Sequence, residues 1–266
     1  WSEFKNSGFK PVGEEVWFSE WSEYKPIRLY TKKGSFRVDG KADRVDKYKN
    51  YVRIVDYKTG NASEKVKEEK FYTGQNIQLY LYMNAFVRTG ERPAGAYYYA
   101  VNDSFSKPDD EKAPMAGKTL MNDEILNATD PEILKTGRSK VVNVKTDKRN
   151  GKITSGACDE ITLEGYMKYA KKLAENAVFN IADGVIVSSP YQGACNYCEY
   201  GGICGFDEDA GYKERKISGV KPKTIVEAAF SDEKNENNEN NEKNENNEKD
   251  EKTEKIENAK KTEEEK

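Results

Sequence analysis

Histidine is absent from all 266 residues, which removes Ser-His-Asp and Cys-His nucleophilic sites together with every histidine-containing metal site. Chemistry must then come from carboxylates, lysine, tyrosine or cysteine. Cysteine is also scarce: of four, Cys158 stands alone and Cys195, Cys198 and Cys204 form a C-x2-C-x5-C cluster. There is no stretch of eighteen apolar residues and no charged-then-apolar leader, so nothing places the chain in or across a membrane, and a cytoplasmic protein is expected. In that reducing setting the cysteine cluster reads as metal ligation rather than disulfides, with iron and zinc undecided by spacing alone.

Apolar residues are few as well, at 36%, and the shortfall is local. From residue 231 to 266 only Ile256 and Ala259 are apolar, within a run of Asn, Glu and Lys. Such a run cannot bury enough surface to offset chain entropy and is expected to be a disordered tail. The tail holds fourteen acids and eight lysines, a net charge of -6, which leaves residues 1–230 at +3. A mildly basic body is compatible with nucleic acid but does not argue for it, because binding depends on clustering. The first residue is Trp1 rather than Met, which suggests a piece of a longer polypeptide.

Strands are expected at residues 15–20 and 27–31, where apolar and polar residues mix or alternate. Residues 35–45 and 51–58, around a polar turn at 47–50, read as an antiparallel meander closed by Gly60. Ser63 is expected to cap a short charged helix, and residues 73–87 to form a longer one. A strand follows at 94–101. Residues 102–156 are polar and loop-rich, with a short helix near 122–126 and a strand near 140–144. A helix over 162–180 then leads to the cysteine cluster.

Within this frame four short segments carry candidate chemistry: Glu15 in P-V-G-E-E-V-W-F, Asp43 in G-K-A-D-R-V-D ending at Asp46, V-D-Y-K-T-G over residues 55–60, and Gln78 with Tyr82. Asp56 and Lys58 are two apart on a strand and so project from one face, beside Asp43 if its strand is the neighbour. Two carboxylates and a lysine would converge there, and hard oxygen ligands suit Mg2+ or Mn2+. Gln78 and Tyr82, four apart on a helix, would point at the same cleft. Each segment alone also fits an ordinary surface ion pair, turn or helix face. What chance does not supply is all four in this order, followed by a cysteine cluster.

Together these marks, with Cys195-Asn-Tyr-Cys198-x5-Cys204-x-Phe-Asp, resemble the RecB-like branch of the PD-(D/E)XK nucleases, at the C-terminal nuclease domain of AddB-type helicase-nuclease subunits. The resemblance spans residues 11–207. It implies an α/β fold, with a central mixed sheet flanked by helices and a C-terminal iron-sulfur clasp at residues 195–204. Residues 1–230 would be the nuclease domain. Asp43, Asp56 and the Tyr57 carbonyl would hold the catalytic Mg2+ or Mn2+, and Lys58 would orient the attacking water or offset charge on the phosphate. Glu15 takes a position that many relatives fill with His, and Gln78 and Tyr82 would support the site and contact DNA.

Cys195, Cys198 and Cys204 would bind a [4Fe-4S] cluster, its fourth cysteine lying upstream in the parent protein and Cys158 being an ordinary small side chain. DNA and an AddA-type helicase-nuclease partner are the implied partners, and processing of broken duplex ends for recombinational repair the implied role. A catalytically inactive DNA-binding iron-sulfur module of the same fold is the competing reading, with intact Asp43, Asp56 and Lys58 against it. A small zinc or redox protein built on Cys195 and Cys198 is a second, opposed by the late position of the C-x-x-C and its third cysteine. Because the tail has almost nothing to bury, deleting residues 231–266 should leave cleavage and the melting temperature unchanged, as an end-labelled DNA assay and thermal unfolding would show.

Overall fold

The computed structural model describes residues 2–59, 62–88, 90–101, 115–147, 152–207 and 209–231. Gly60 and all of the expected tail after Ser231 lie outside the described residues. The chain opens with a short helix α1 (Ser2–Asn6) and strand β1 (Lys10–Phe18), then runs through β2 (Ile27–Thr31), β3 (Gly34–Val38), β4 (Gly40–Tyr48) and β5 (Tyr51–Thr59). Three helices follow, α2 (Ala62–Lys65), α3 (Glu68–Tyr72) and α4 (Gln78–Phe86), before β6 (Arg92–Val101) and β7 (Met115–Leu120). Next come α5 (Asp123–Thr129), α6 (Glu132–Thr136), β8 (Lys145–Thr146), β9 (Ile153–Ser155), β10 (Ala157–Cys158), the long α7 (Glu160–Ala182) and α8 (Pro222–Ala229). No helix among the described residues is long and apolar enough to cross a membrane.

Six strands form one mixed sheet in the order β1-β4-β5-β6-β7-β10. β5 and β6 are parallel, as are β7 and β10, whereas β1–β4, β4–β5 and β6–β7 are antiparallel. A parallel neighbour cannot be reached by a tight turn, and α2, α3 and α4 supply the crossover from β5 to β6. Side chains that alternate along the strands bury both faces. Val52, Ile54, Ala96 and Tyr98 meet Leu79, Met83 and Phe86 of α4 and Leu163 and Tyr166 of α7, while Val55, Tyr97 and Met115 meet Leu126, Ile133 and Val142. The expected mixed sheet flanked by helices is what the chain forms.

The boundaries differ from expectation where tertiary partners or glycine intervene. Residues 35–45 make two strands because β3 pairs with β2 in a separate hairpin, and the next strand changes partners to β1 and β5. The helix expected over 73–87 starts late: α3 has ended at Tyr72, Gly74 takes a left-handed φ of 85°, and α4 runs only from Gln78 to Phe86. Ser63 lies inside α2 rather than capping it. Asn122 does cap α5, its side-chain oxygen accepting from the amides of Glu124 and Ile125, as an Asn before a helix should. Residues 140–144 contribute only a bridge from Val142 to Met115.

Four charged side chains are buried together against this sheet. Arg44 and Asp46 alternate with Asp43 and Val45 along β4, so they project from the other side of the strand. There Arg44 donates to both oxygens of Asp46 at 2.8 Å and to Glu3 of α1 at 2.5 Å. Arg53, the cross-strand partner of Asp46, donates to Asp46 and to Glu3 at 2.7 Å each and lies over the Phe9 ring. All four are buried, Asp46 completely. Burial works against the charge on Arg44, but its bonds to Asp46 and Glu3 outweigh that and raise its pKa.

Two cations and two anions share four sides of a ring, so the charges cancel while each remains dependent on the others. Removing one member strands the rest in low dielectric. Arg53→Ala should therefore lower the free energy of unfolding by about 3–5 kcal/mol, measured by urea denaturation, whereas Arg28→Ala, at an exposed ion pair with Glu20, should change it by less than about 1 kcal/mol.

Candidate active site

β4 and β5 stay paired from the Tyr48–Tyr51 turn to the Arg44–Val55 pair, and one residue beyond it stand Asp43 and Asp56. There the Asp43 side chain replaces the ladder: its Oδ2 accepts a 2.8 Å bond from the Tyr57 amide. Asp56 is buried and Lys58, two residues on, points the same way, with its ammonium 2.7 Å from Asp56 Oδ2. That oxygen is buried, with the Lys58 ammonium against it. Burial raises the Asp56 pKa, Lys58 pulls it back, and the charge of Asp43 pushes it up again. Two carboxylates thus repel each other across a strand pair, with one lysine as counter-charge.

α4 delivers the next group. Its first residue, Gln78, accepts from the Lys58 ammonium at 3.4 Å, and Tyr82, one turn later, packs edge-on against Phe18 of β1 at 4.8 Å between ring centres. The structure therefore brings Asp43, Asp56, Lys58 and Gln78 together, with Tyr82 on the same helix face between this group and β1. Glu15 stands apart. Its backbone is left-handed at φ 52°, and its carboxylate pairs with Lys41 at 2.8 Å, 73% exposed. Tyr57 contributes backbone to the site, while its ring packs on Tyr99.

Two residues that the motifs did not single out belong here. Tyr98 of β6 is the register partner of Asp56 and lies 6.0 Å beneath the Lys58 ammonium. Its hydroxyl is held well above its usual pKa, first by burial and then by the Asp56 charge. Alternation along residues 94–101 is enough to find it once β6 is placed beside β5. Lys65 of α2 acts electrostatically on Asp56, favouring its ionised form, and nothing in its local sequence marks it.

Among the described residues no three His, Cys, Asp or Glu side chains are grouped as a metal site. The acidic pair nevertheless fits a hard divalent cation: the donors are carboxylate oxygens, one of them buried with a lysine ammonium against it, and such ions commonly complete their shell with carbonyl, water and substrate oxygens. The cysteines lie elsewhere. Cys195 lies within and Cys198 follows a single 3-10 turn, Ala194–Tyr197, and Cys204 bonds Ser188, which lowers its thiol pKa. All three are exposed. The neck of their loop is closed by a Tyr191–Arg215 bridge, with the Arg215 guanidinium 3.9 Å over the Tyr191 ring.

Cys158 is instead part of the sheet, on β10 opposite Leu120, and burial pushes its thiol up to about 12.

With this geometry in view, comparison with known proteins is decisive at the level of family. The family model of the PD-(D/E)XK nuclease superfamily matches residues 1–205. The chain belongs to that superfamily. Among curated relatives, an ATP-dependent helicase/deoxyribonuclease subunit of Thermoanaerobacter sp. (strain X514) is 31% identical over 230 residues, covering 76% of this chain and 20% of its own length. Proteins of the same name from Caldanaerobacter subterraneus subsp. tengcongensis and Clostridioides difficile are 28% and 27% identical over 88% and 85% of this chain, each covered for 22% of its own length. The chain thus spans about a fifth of these relatives, and the AddB-type resemblance of its motifs agrees with their names.

The different settings of the cysteines give a direct test. Treating the native, metal-free chain with iodoacetamide at pH 8 should label Cys195, Cys198 and Cys204 and spare Cys158 until denaturant is added, as peptide mass spectrometry would show.

Proposed function

We propose that this chain is the nuclease domain of a helicase-nuclease subunit and hydrolyses DNA phosphodiester bonds with Mg2+ or Mn2+. The observation that carries the reading is the convergence of Asp43, Asp56 and Lys58 where β4 and β5 part. When bound, the divalent cation supplies Lewis-acid stabilisation of the phosphate and activates water near neutral pH. Asp43, Asp56 and the Tyr57 carbonyl would hold it. The Tyr57 amide keeps the Asp43 carboxylate in place, so no reorganisation is needed when substrate arrives.

Lys58 would be free to leave Asp56 for the phosphate or for the attacking water once the charge of the two carboxylates were balanced by a bound ion. Gln78, already on the Lys58 ammonium, limits where that ammonium can go. Tyr82 and Glu15 are the further site residues of this reading, Tyr82 supporting the strand and Glu15 acting through its partner Lys41. In the parent protein the domain would process broken DNA ends for recombinational repair beside an AddA-type subunit, in the cytoplasm. Cys195, Cys198 and Cys204 would clasp a [4Fe-4S] cluster whose fourth ligand would come from outside this chain, in keeping with the place of Cys158 on a strand of the sheet.

The experiment is degradation of end-labelled DNA with and without Mg2+. Asp56→Ala should abolish cleavage while folding and DNA binding persist, since it removes a cation ligand and relieves a buried repulsion. Lys58→Ala should slow cleavage by about 10²–10³-fold, the scale of a lost transition-state contact, without weakening Mg2+ binding as far as Asp56→Ala does. Near wild-type cleavage by Asp56→Ala would overturn the assignment.

A further inference from the structure

We infer that Trp17 and Lys41, with Glu15 behind them, form a subsite that stacks one nucleobase of the DNA strand beside the catalytic carboxylates. This rests on the nuclease reading and extends it to a substrate-positioning surface. Trp17 lies on the outermost strand of the sheet and is 59% exposed, although the next residue, Phe18, is completely buried. Its cross-strand partner is Lys41. Lys41 precedes Asp43 by two residues on β4, about 7 Å along the strand. A strand of nucleic acid whose phosphate reached Asp43 would have this pair within about one nucleotide of it.

The local backbone is shaped for the arrangement. Glu15 lies between the Glu14–Arg44 and Val16–Ala42 pairs, and so opposite Asp43, but adopts φ 52°, a conformation uncommon for a non-glycine residue. Its carboxylate holds the Lys41 ammonium at 2.8 Å, and that ammonium sits 5.7 Å from the centre of the Trp17 ring. The lysine is thus fixed against the indole, while much of the ring remains open to solvent. An open indole flanked by a cation beside a phosphodiester-cleaving site suits a base on the ring and a backbone phosphate on the lysine. Stacking of this kind accepts any base, because each has a π-face.

The test uses the 266-residue chain in EDTA with a fluorescently labelled oligothymidylate, and a series carrying one abasic nucleotide at successive positions. Trp17→Ala should weaken binding about tenfold, whereas Trp21→Ala, also at an exposed indole, should not. The wild type should lose affinity when one particular nucleotide is abasic, Trp17→Phe should keep that signature, and Trp17→Ala should abolish it. In a Trp1→Phe/Trp21→Phe background the remaining indole emission should be quenched by the oligonucleotide, a readout independent of whether Trp17→Ala folds.

An unquenched indole, or an abasic profile that Trp17→Ala leaves unchanged, overturns the subsite. A wild-type chain that does not bind the oligonucleotide overturns it together with the nuclease reading. Because binding is read without metal, a chain that shows the stacking signature but fails to cleave with Mg2+ contradicts the nuclease reading alone.

Discussion

The buried ring of Glu3, Arg44, Asp46 and Arg53 is the interaction on which the working part of this molecule depends. It joins α1 to the β4–β5 pair and holds the register of those strands from the side opposite the Asp43 and Asp56 carboxylates. A strand cannot slip by one residue without turning every side chain to the other face. Here a slip would bring Arg44 and Asp46 out of their partners and Asp43 away from Asp56. Four matched charges in low dielectric make that slip far costlier than an apolar patch would, even if their net contribution to stability is small. The segment D-R-V-D therefore has two jobs on two faces: its first aspartate serves the site, and its Arg and second Asp serve the register.

With the strands held, the site can tolerate groups that oppose folding. Asp56 is buried and faces another carboxylate, with the Lys58 ammonium against one of its oxygens. Its raised pKa means that the ionised form is disfavoured in the folded chain, so the penalty is fully present above the folded pKa and is lost as pH falls through it toward the ordinary carboxylate value. Lys58 offsets part of that penalty, and a divalent cation would offset more. Local destabilisation of this kind is common where a scaffold must bind charge tightly. The strained Glu15 on the neighbouring strand is a second instance, held by the β1–β4 ladder on either side of it.

Much of this is legible in the sequence because it rests on short periods. Asp56 and Lys58 share a face because a strand repeats every two residues, Gln78 and Tyr82 share one because a helix repeats every 3.6, and both relations survive any tertiary arrangement. Asn122 is readable as a helix start for the same local reason. Less legible are features set by competition between partners. The division of residues 35–45 reflects a change of pairing at Asp39, and the break between α3 and α4 follows from the left-handed Gly74. Glu15 is expected among the site residues, yet it sits on Lys41, because a backbone φ inside a strand leaves no mark in the sequence.

By itself, then, the sequence determined the chemical inventory: no histidine, two motif carboxylates with a lysine, a helix-borne Gln and Tyr, and three clustered cysteines apart from Cys158. It also determined which of these could share a face within one element. Only the tertiary structure decided which elements meet. It set β4 beside β5 so that Asp43 and Asp56 adjoin, put Tyr98 beneath Lys58, brought Lys65 within electrostatic reach, and placed Trp17 against Lys41. The reason is physical: side-chain periodicity is a property of the local backbone, whereas strand order and register are chosen by the burial and charge pairing of residues far apart in the chain.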